Sequence, residues 1–247
     1  MLNRFSRTEL LLGEENMSKL AQSKIAIFGI GGVGSYVAEG LARCGIGEFI
    51  LIDSDDISLT NINRQIHALE TTIGQKKTLM MKERILAINP QAKVTTIEKL
   101  YTPESIFFNW DDDYTYIVDA VDDVKAKINL IVNANKHNLP IMSSMGTANK
   151  LDPQKFVITD IYKTHTCPLA RIMRKTLKQQ GIKKLKVLYS TEEPFTNYTV
   201  NFKENTSKDN SPASTRKQPL GSISFVPPIA GLMIAGEIVK DICQINR

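Results

Sequence analysis

The sequence predicts an α/β fold, a doubly wound and mostly parallel sheet with helices on both faces and a mixed C-terminal extension. Three observations predict it. A glycine-rich turn, Gly29-Ile30-Gly31-Gly32-Val33-Gly34, follows the apolar run Ile25-Ala26-Ile27-Phe28 and opens an alanine-rich stretch that reads as helix. A second apolar run, Phe49-Ile50-Leu51-Ile52, ends at Asp53. Further along the chain, strand-length apolar runs keep alternating with helical patterns, which argues for parallel pairing. Strand, tight glycine turn, helix, strand and terminal acid make the fingerprint of a Rossmann-like nucleotide-binding βαβ unit.

The elements follow in order. Residues 4–20, within an N-terminal segment 1–23, read as an amphipathic helical arm. Strands are expected at 24–28 and 48–52, and a helix at 75–88 stops at Asn89-Pro90, where proline blocks continuation. Residues 93–98 alternate as a strand, 116–118 form a short buried one, 125–136 read as helix and 140–142 as another strand. These complete a nucleotide-binding half, 24–150. In the second half, 151–247, we expect a strand at 156–161, a helix at 168–180 with Pro168 in its first position, a strand at 186–189 and a closing helix at 229–242. Residues 201–219 are polar and rich in Pro, Ser and Asn, and read as a flexible loop or lid. With no internal repeat, the 247 residues read as one domain.

Composition narrows the class. An apolar fraction of 42% is enough for a full core. The net charge of +5 suits an anionic partner such as a nucleotide or nucleic acid. Cys44, Cys167 and Cys243 form neither a CxxC pair nor a zinc spacing, so no zinc site is expected and a reducing, cytoplasmic setting is implied. Arg4, Arg7 and Glu9 interrupt any apolar signal core. Residues 223–235 are apolar but short and broken by Pro227-Pro228, so stable membrane insertion is not expected.

The glycines let backbone pass close to phosphates, whose charge favours a helix N-terminus, and Asp53 is placed to accept from ribose hydroxyls. Gly29, Gly31, Gly32, Gly34 and Asp53 are therefore the first nucleotide-binding candidates. The spacing from Gly29 to Gly34 also begins a P-loop, but Ser35 and Tyr36 stand where Lys and Ser or Thr are needed, which excludes that reading. The fingerprint alone leaves a dinucleotide open. Three later segments bear on the choice: Asn61-Ile62-Asn63-Arg64-Gln65, Gly74-Gln75-Lys76-Lys77, and Asp119-Ala120-Val121-Asp122. All should fall near the carboxyl ends of the strands, and the carboxylates of the last should point into the crevice. Two cations beside a phosphate are of little use in hydride transfer. In nucleotidyl transfer they stabilise charge that builds on the α-phosphate, and a carboxylate can hold Mg²⁺ against phosphate oxygens. Taken singly, Arg64 or Lys77 reads as a solvated surface charge and Asp122 as a helix cap.

These five ordered motifs resemble the ATP-binding domain of the ubiquitin-activating-enzyme superfamily, the ThiF/MoeB/HesA group. The resemblance implies a ThiF/MoeB-type adenylation fold that uses ATP and Mg²⁺. Ribose binding would fall to Asp53, phosphate contacts to Asn61, Arg64 and Lys77, a nucleotide-site place to Gln65, and the Mg²⁺ contact to Asp122. Arg7 matches an N-terminal arginine that this group delivers across a homodimer interface. The lack of CxxC pairs, the opening 4–13, the run 53–69 and the late Lys163-Thr164…Pro168-Leu169-Ala170 resemble the group's tRNA threonylcarbamoyladenosine dehydratases. That resemblance implies ATP-dependent cyclisation of threonylcarbamoyladenosine beside the tRNA anticodon, through an acyl-adenylate of the threonyl carboxylate. Activation of a ubiquitin-like sulfur carrier's C-terminus is the alternative. A sulfurtransferase-type or acceptor-protein partner is a further expectation, its identity not given by the sequence.

A tRNA substrate fits a basic segment. Arg171, Arg174, Lys175 and Lys178 fall at helical spacing on largely one side, followed by Lys183, Lys184 and Lys186, with Lys208, Arg216 and Lys217 in the late loop. A solvated helix face is the plain alternative. Cys167, before a helix N-terminus, is the single candidate for a reactive thiol and reads otherwise as a packed one. Cys44 and Cys243 read as structural. His67 reads as a packing or hydrogen-bonded residue near the site, and His137 and His165 show no partner in the sequence.

Overall fold

A computed structural model describes residues 2–195 and 220–245. Seven strands form one sheet in the order β3-β2-β1-β4-β5-β7-β6. They are β1 (Lys24–Phe28), β2 (Glu48–Ile52), β3 (Lys93–Ile97), β4 (Tyr116–Asp119), β5 (Ile141–Ser144), β6 (Phe156–Asp160) and β7 (Lys186–Ser190). All neighbours run parallel except β6, which lies antiparallel to β7 at the edge. The mixed extension expected after residue 150 is this edge pair, joined to β5 through β7.

Side-chain alternation lets β1 and β2 serve two cores at once. Ile25, Ile27, Phe49 and Leu51 enter the cluster beneath α3 (Gly34–Arg43), α4 (Lys77–Ile88) and α7 (Val226–Ile242). Ala26, Phe28, Ile50 and Ile52 point to the other face, against Tyr101, Phe108 and α5 (Val124–Lys136). A third cluster joins α5 to α6 (Pro168–Gln179). Strands buried on both faces carry apolar residues throughout rather than alternating ones, and for this reason β1 and β2 stand out in the sequence.

Two elements differ from the sequence reading. The N-terminal arm is two helices, α1 (Ser6–Leu12) and α2 (Glu14–Gln22), broken at Gly13 with φ +82°. Helix α7 begins at Val226, so Pro227 and Pro228 sit in its first turn, where a missing N–H costs no helical hydrogen bond, and do not interrupt it. Among the described residues no helix is long and apolar enough to cross a membrane. The polar stretch 201–219, with Lys208, Arg216 and Lys217, lies outside the described residues.

Candidate active site

Strand order reverses between β1 and β4, and a crevice opens at their carboxyl ends, where such sheets hold ligands. The cavity there is about 470 Å³. Gly29, Gly31, Gly32, Asp53, Asn61, Arg64, Gln65, Lys77 and Asp122 all line it. The fold thus brings together segments up to about 90 residues apart in the chain, because each follows the end of a strand that reaches the same edge.

The glycine turn is shaped by two constraints. Gly29 adopts φ +86°, and a Cβ there would stand 2.6 Å from the Ala120 carbonyl oxygen. Gly34 lines no part of the cavity. A Cβ on it would come within 1.8 Å of the Gly29 carbonyl oxygen and 3.4 Å of the Ala120 Cβ. Gly34 lets α3 pack against the turn, and of the four glycines only Gly29, Gly31 and Gly32 line the cavity. The Ile30 peptide is gripped from both sides. Its N–H donates to Asp53 Oδ2 at 2.6 Å and its carbonyl accepts from His67 Nε2 at 2.9 Å.

His67 is buried, and burial pushes its imidazole down to about 4, so it is neutral at pH 7. With Nε2 donating, Nδ1 is the bare acceptor, and among the described residues it has no partner. Burial also holds the Asp53 carboxyl above its usual range, against the Lys77 cation and the N–H groups of Asp55 and Ile30.

Lys77 opens α4 and is buried, with Nζ 2.7 Å from Asp55 Oδ2. Arg64 is half-buried. Its Nη1 donates to the Thr60 carbonyl at 3.0 Å and to Asn63 Oδ1 at 2.9 Å, and among the described residues no carboxylate pairs with it. Its remaining N–H groups are available to an anion. Asn61 uses Oδ1 to accept from the Ser58 N–H at 3.1 Å, closing the turn that carries Arg64. Gln65 is 5% exposed, yet among the described residues its Oε1 has no partner. A buried amide left unpaired is costly, and a ligand donor in the cavity would satisfy it.

After β4 the carboxylates divide. Asp119 does not point into the crevice as expected. It is fully buried, paired with Lys127 Nζ at 3.0 Å and bonded to the Ser143 hydroxyl. Lys127 also donates to the Val121 carbonyl at 2.9 Å, which fixes the following loop. Asp123, rather than Asp122, caps α5, accepting from the Ala126 N–H at 2.8 Å. Asp122 is exposed and free to face the cavity.

Arg7 is exposed on α1, away from this cavity. The arm lies at the opposite end of the sheet, where Phe5 packs near Gly45 and Arg4 Nη1 donates to the Ile88 carbonyl at 3.4 Å. On α6, Arg171, Lys175 and Lys178 are exposed on one side. Arg174 is instead bonded to the Thr164 carbonyl and hydroxyl. Lys186 is neutralised by Glu237 and Asp241. Cys167 is buried in the α5–α6 core, as the packed reading holds. His137 pairs with Asp111, 26 residues away, a contact made by the tertiary fold, and His165 with its chain neighbour Thr166.

Sequence reasoning missed Asp55, Tyr101, Thr147, Ala148 and Ser222, which also line the site or hold its cations. Asp55 was visible in the acidic run 53–56, but spacing does not say which carboxylate reaches Lys77. Tyr101 gives the cavity an aromatic wall, with its hydroxyl donating to Asn129 Oδ1 at 2.6 Å. Nothing local marks the other three.

The ThiF family matches residues 5–247. The tRNA threonylcarbamoyladenosine dehydratase of Bacillus subtilis (strain 168) is 43% identical over 245 residues, 99% of this chain and 96% of that protein. The crystal structure of the Escherichia coli tRNA N6-threonylcarbamoyladenosine dehydratase, TcdA, in complex with AMP is similar at TM-score 0.85 and 32% identity, covering 98% of this chain and 94% of that one. The same Escherichia coli enzyme in complex with ATP gives TM-score 0.84 at the same identity and coverage. Matched over nearly its whole length, the chain belongs to the ThiF family, in its branch of tRNA threonylcarbamoyladenosine dehydratases.

Proposed function

We infer that this protein catalyses the ATP-dependent dehydration of threonylcarbamoyladenosine in tRNA to its cyclic form. The observation that carries the reading is the convergence of Arg64, Lys77 and Asp122 with the glycine turn on one cavity. A threonyl carboxylate oxygen attacks the α-phosphorus of ATP. The bond to the outer two phosphoryl groups breaks, and pyrophosphate leaves. Arg64 and Lys77 stabilise the charge that gathers on the α-phosphate. The carbamoyl group of the same side chain then attacks the activated carbonyl carbon and loses a proton. The bond to AMP breaks, and AMP carries away one former carboxylate oxygen. The nucleophile is tethered beside its target, so its effective concentration is high and no cysteine is needed.

The donor set fits Mg²⁺ in one specific way. Among the described residues no group of three or more His, Cys, Asp or Glu could hold a metal ion. Asp122 offers a single exposed carboxylate, and Mg²⁺ is commonly held by one or two carboxylates with phosphate oxygens and waters. When bound, the ion supplies neutralisation of phosphate charge. We further propose a homodimer in which a second copy contributes Arg7, since α1 lies at the far end of the sheet from its own cavity. The exposed face of α6 is proposed to contact tRNA. Strands from both halves share one sheet, which supports reading residues 1–247 as one domain. A cytoplasmic setting follows from a tRNA substrate.

The test is incubation with ATP, Mg²⁺ and threonylcarbamoylated tRNA, followed by nucleoside mass spectrometry. The modified adenosine should lose the mass of one water only when ATP is present. Unchanged nucleoside would refute the reading, and pyrophosphate exchange driven by a ubiquitin-like carrier instead of tRNA would support the carrier-activating alternative.

A further inference from the structure

Asn63 sits between the catalytic arginine and a segment more than 150 residues away. Its Oδ1 accepts from Arg64 Nη1 at 2.9 Å, and its Nδ2 donates to the Ser222 carbonyl at 3.0 Å. The two partners fix the amide's orientation, since a guanidinium only donates and a carbonyl only accepts. Ser222 and Leu220 line the same cavity as Arg64. The backbone at Gly221 is held from its other side by Asn149. The Gly221 N–H donates to Asn149 Oδ1 at 2.7 Å, and the Asn149 N–H donates to the Gly221 carbonyl at 2.8 Å. Asn149 adopts φ +55° and follows Ala148, itself a cavity residue. Its own carbonyl accepts from the Phe195 N–H at 2.8 Å. One asparagine therefore gathers residues 195 and 221, and a second ties that junction to Arg64.

We propose that Asn63 is a positioning residue that acts through Arg64, anchoring the guanidinium to the backbone at Ser222, with Asn149 holding that backbone in place. The inference rests on the adenylation reading of the cavity. Arg64 has a long, flexible side chain, and the carbonyl that anchors its acceptor Asn63 comes from a distant part of the chain. Without Asn63, Nη1 keeps only the Thr60 carbonyl among the described residues, and that bond does not set where the rest of the guanidinium points. An aspartate at 63 would hold Arg64 by charge but would place a carboxylate oxygen against the Ser222 carbonyl. It would also compete with phosphate for the cation.

A double-mutant cycle tests this without tRNA. ATP affinity is measured by calorimetry for wild type, Asn63→Ala, Arg64→Ala and the double variant, with thermal melting to confirm folding. Arg64→Ala should weaken binding about tenfold and Asn63→Ala about threefold, whereas Asn63→Ala in the Arg64→Ala background should change it by less than about 1.5-fold. Asn149→Gly, which keeps the left-handed backbone and removes only the side chain, should show the same dependence on Arg64. Asn63→Asp should bind ATP more weakly than Asn63→Ala. Full additivity, or wild-type affinity in Asn63→Ala, would overturn the proposal. Absence of turnover by wild type on modified tRNA, with the cycle still non-additive, would instead overturn the functional reading alone.

Discussion

Lys77 and Asp55, 22 residues apart, meet in an ion pair of 2.7 Å in which the lysine is buried and the aspartate is mostly exposed. The pair holds the amine at the cavity, and under the proposed function a phosphate would replace the carboxylate there. Lys77→Ala and Arg64→Ala should leave the fold intact and lower turnover by at least about a hundredfold, the scale of losing a preorganised charge. Asp55→Asn should lower the stability of the nucleotide-free protein by about 1 kcal/mol, because its side is exposed and screened. Saturating ATP should shrink that deficit, which differential scanning fluorimetry with and without nucleotide would show. A deficit unchanged by ATP would place Lys77 away from the phosphates.

The glycines of the turn should separate by role. Gly34→Ala pushes a methyl group into the Gly29 carbonyl and should destabilise the fold by about 3 kcal/mol or more. Gly31→Ala meets nothing nearer than Gln65 Nε2, 3.9 Å away, so its stability should stay near wild type while ATP binding weakens. Chemical denaturation alongside ATP titration distinguishes the two. Equal stability loss in both would contradict the packing role given to Gly34.

His67 sets an acid limit. Its folded value of about 4 lies below the ordinary one of about 6.5. Between those values the unfolded chain binds a proton that the native state refuses, so stability falls as pH drops from about 6.5 to about 4. The shift corresponds to about 3 kcal/mol across that window. Asp53, held above its usual range, acts in the opposite sense, so the signal is read as the difference between wild type and His67→Gln. The variant should lose less stability on acidification, as urea melts at a series of pH values would show.

Charge reversal on α6 should report tRNA contact. Arg171→Glu, Lys175→Glu and Lys178→Glu should each weaken tRNA binding and reduce its salt dependence by about one counterion, leaving ATP affinity unchanged. Arg174→Ala should act differently. It removes the donor to Thr164 and so should lower the melting temperature before it affects RNA binding. Filter binding across a salt series checks the three charge reversals, and thermal melting beside it checks Arg174→Ala. Salt slopes identical to wild type would return α6 to a solvated face.

The strand, glycine turn and terminal acid were legible because β1 and β2 are buried on both faces and so carry unbroken apolar runs ending at the site. The cations were legible because Arg64 and Lys77 stand in ordered segments after those strands. Their partners were not. Asp55 and Asp56 are adjacent carboxylates, and only the fold directs the first to Lys77 and the second to Lys76. The motif 119–122 suggested two carboxylates at the crevice, yet strand alternation turns Asp119 into the core toward Lys127 and leaves Asp122 at the surface.

By itself the sequence determined which local structures form and which chemistry the crevice can support, since strand burial, turn conformation and charge are properties of short segments. Tertiary structure alone decided which polar groups meet across long separations: His67 with the Ile30 peptide, Asn63 with Ser222, Asn149 with Gly221. The physical reason is range. A hydrogen bond reaches about 3 Å and carries no trace along the chain of the 37, 159 or 72 residues that separate its ends.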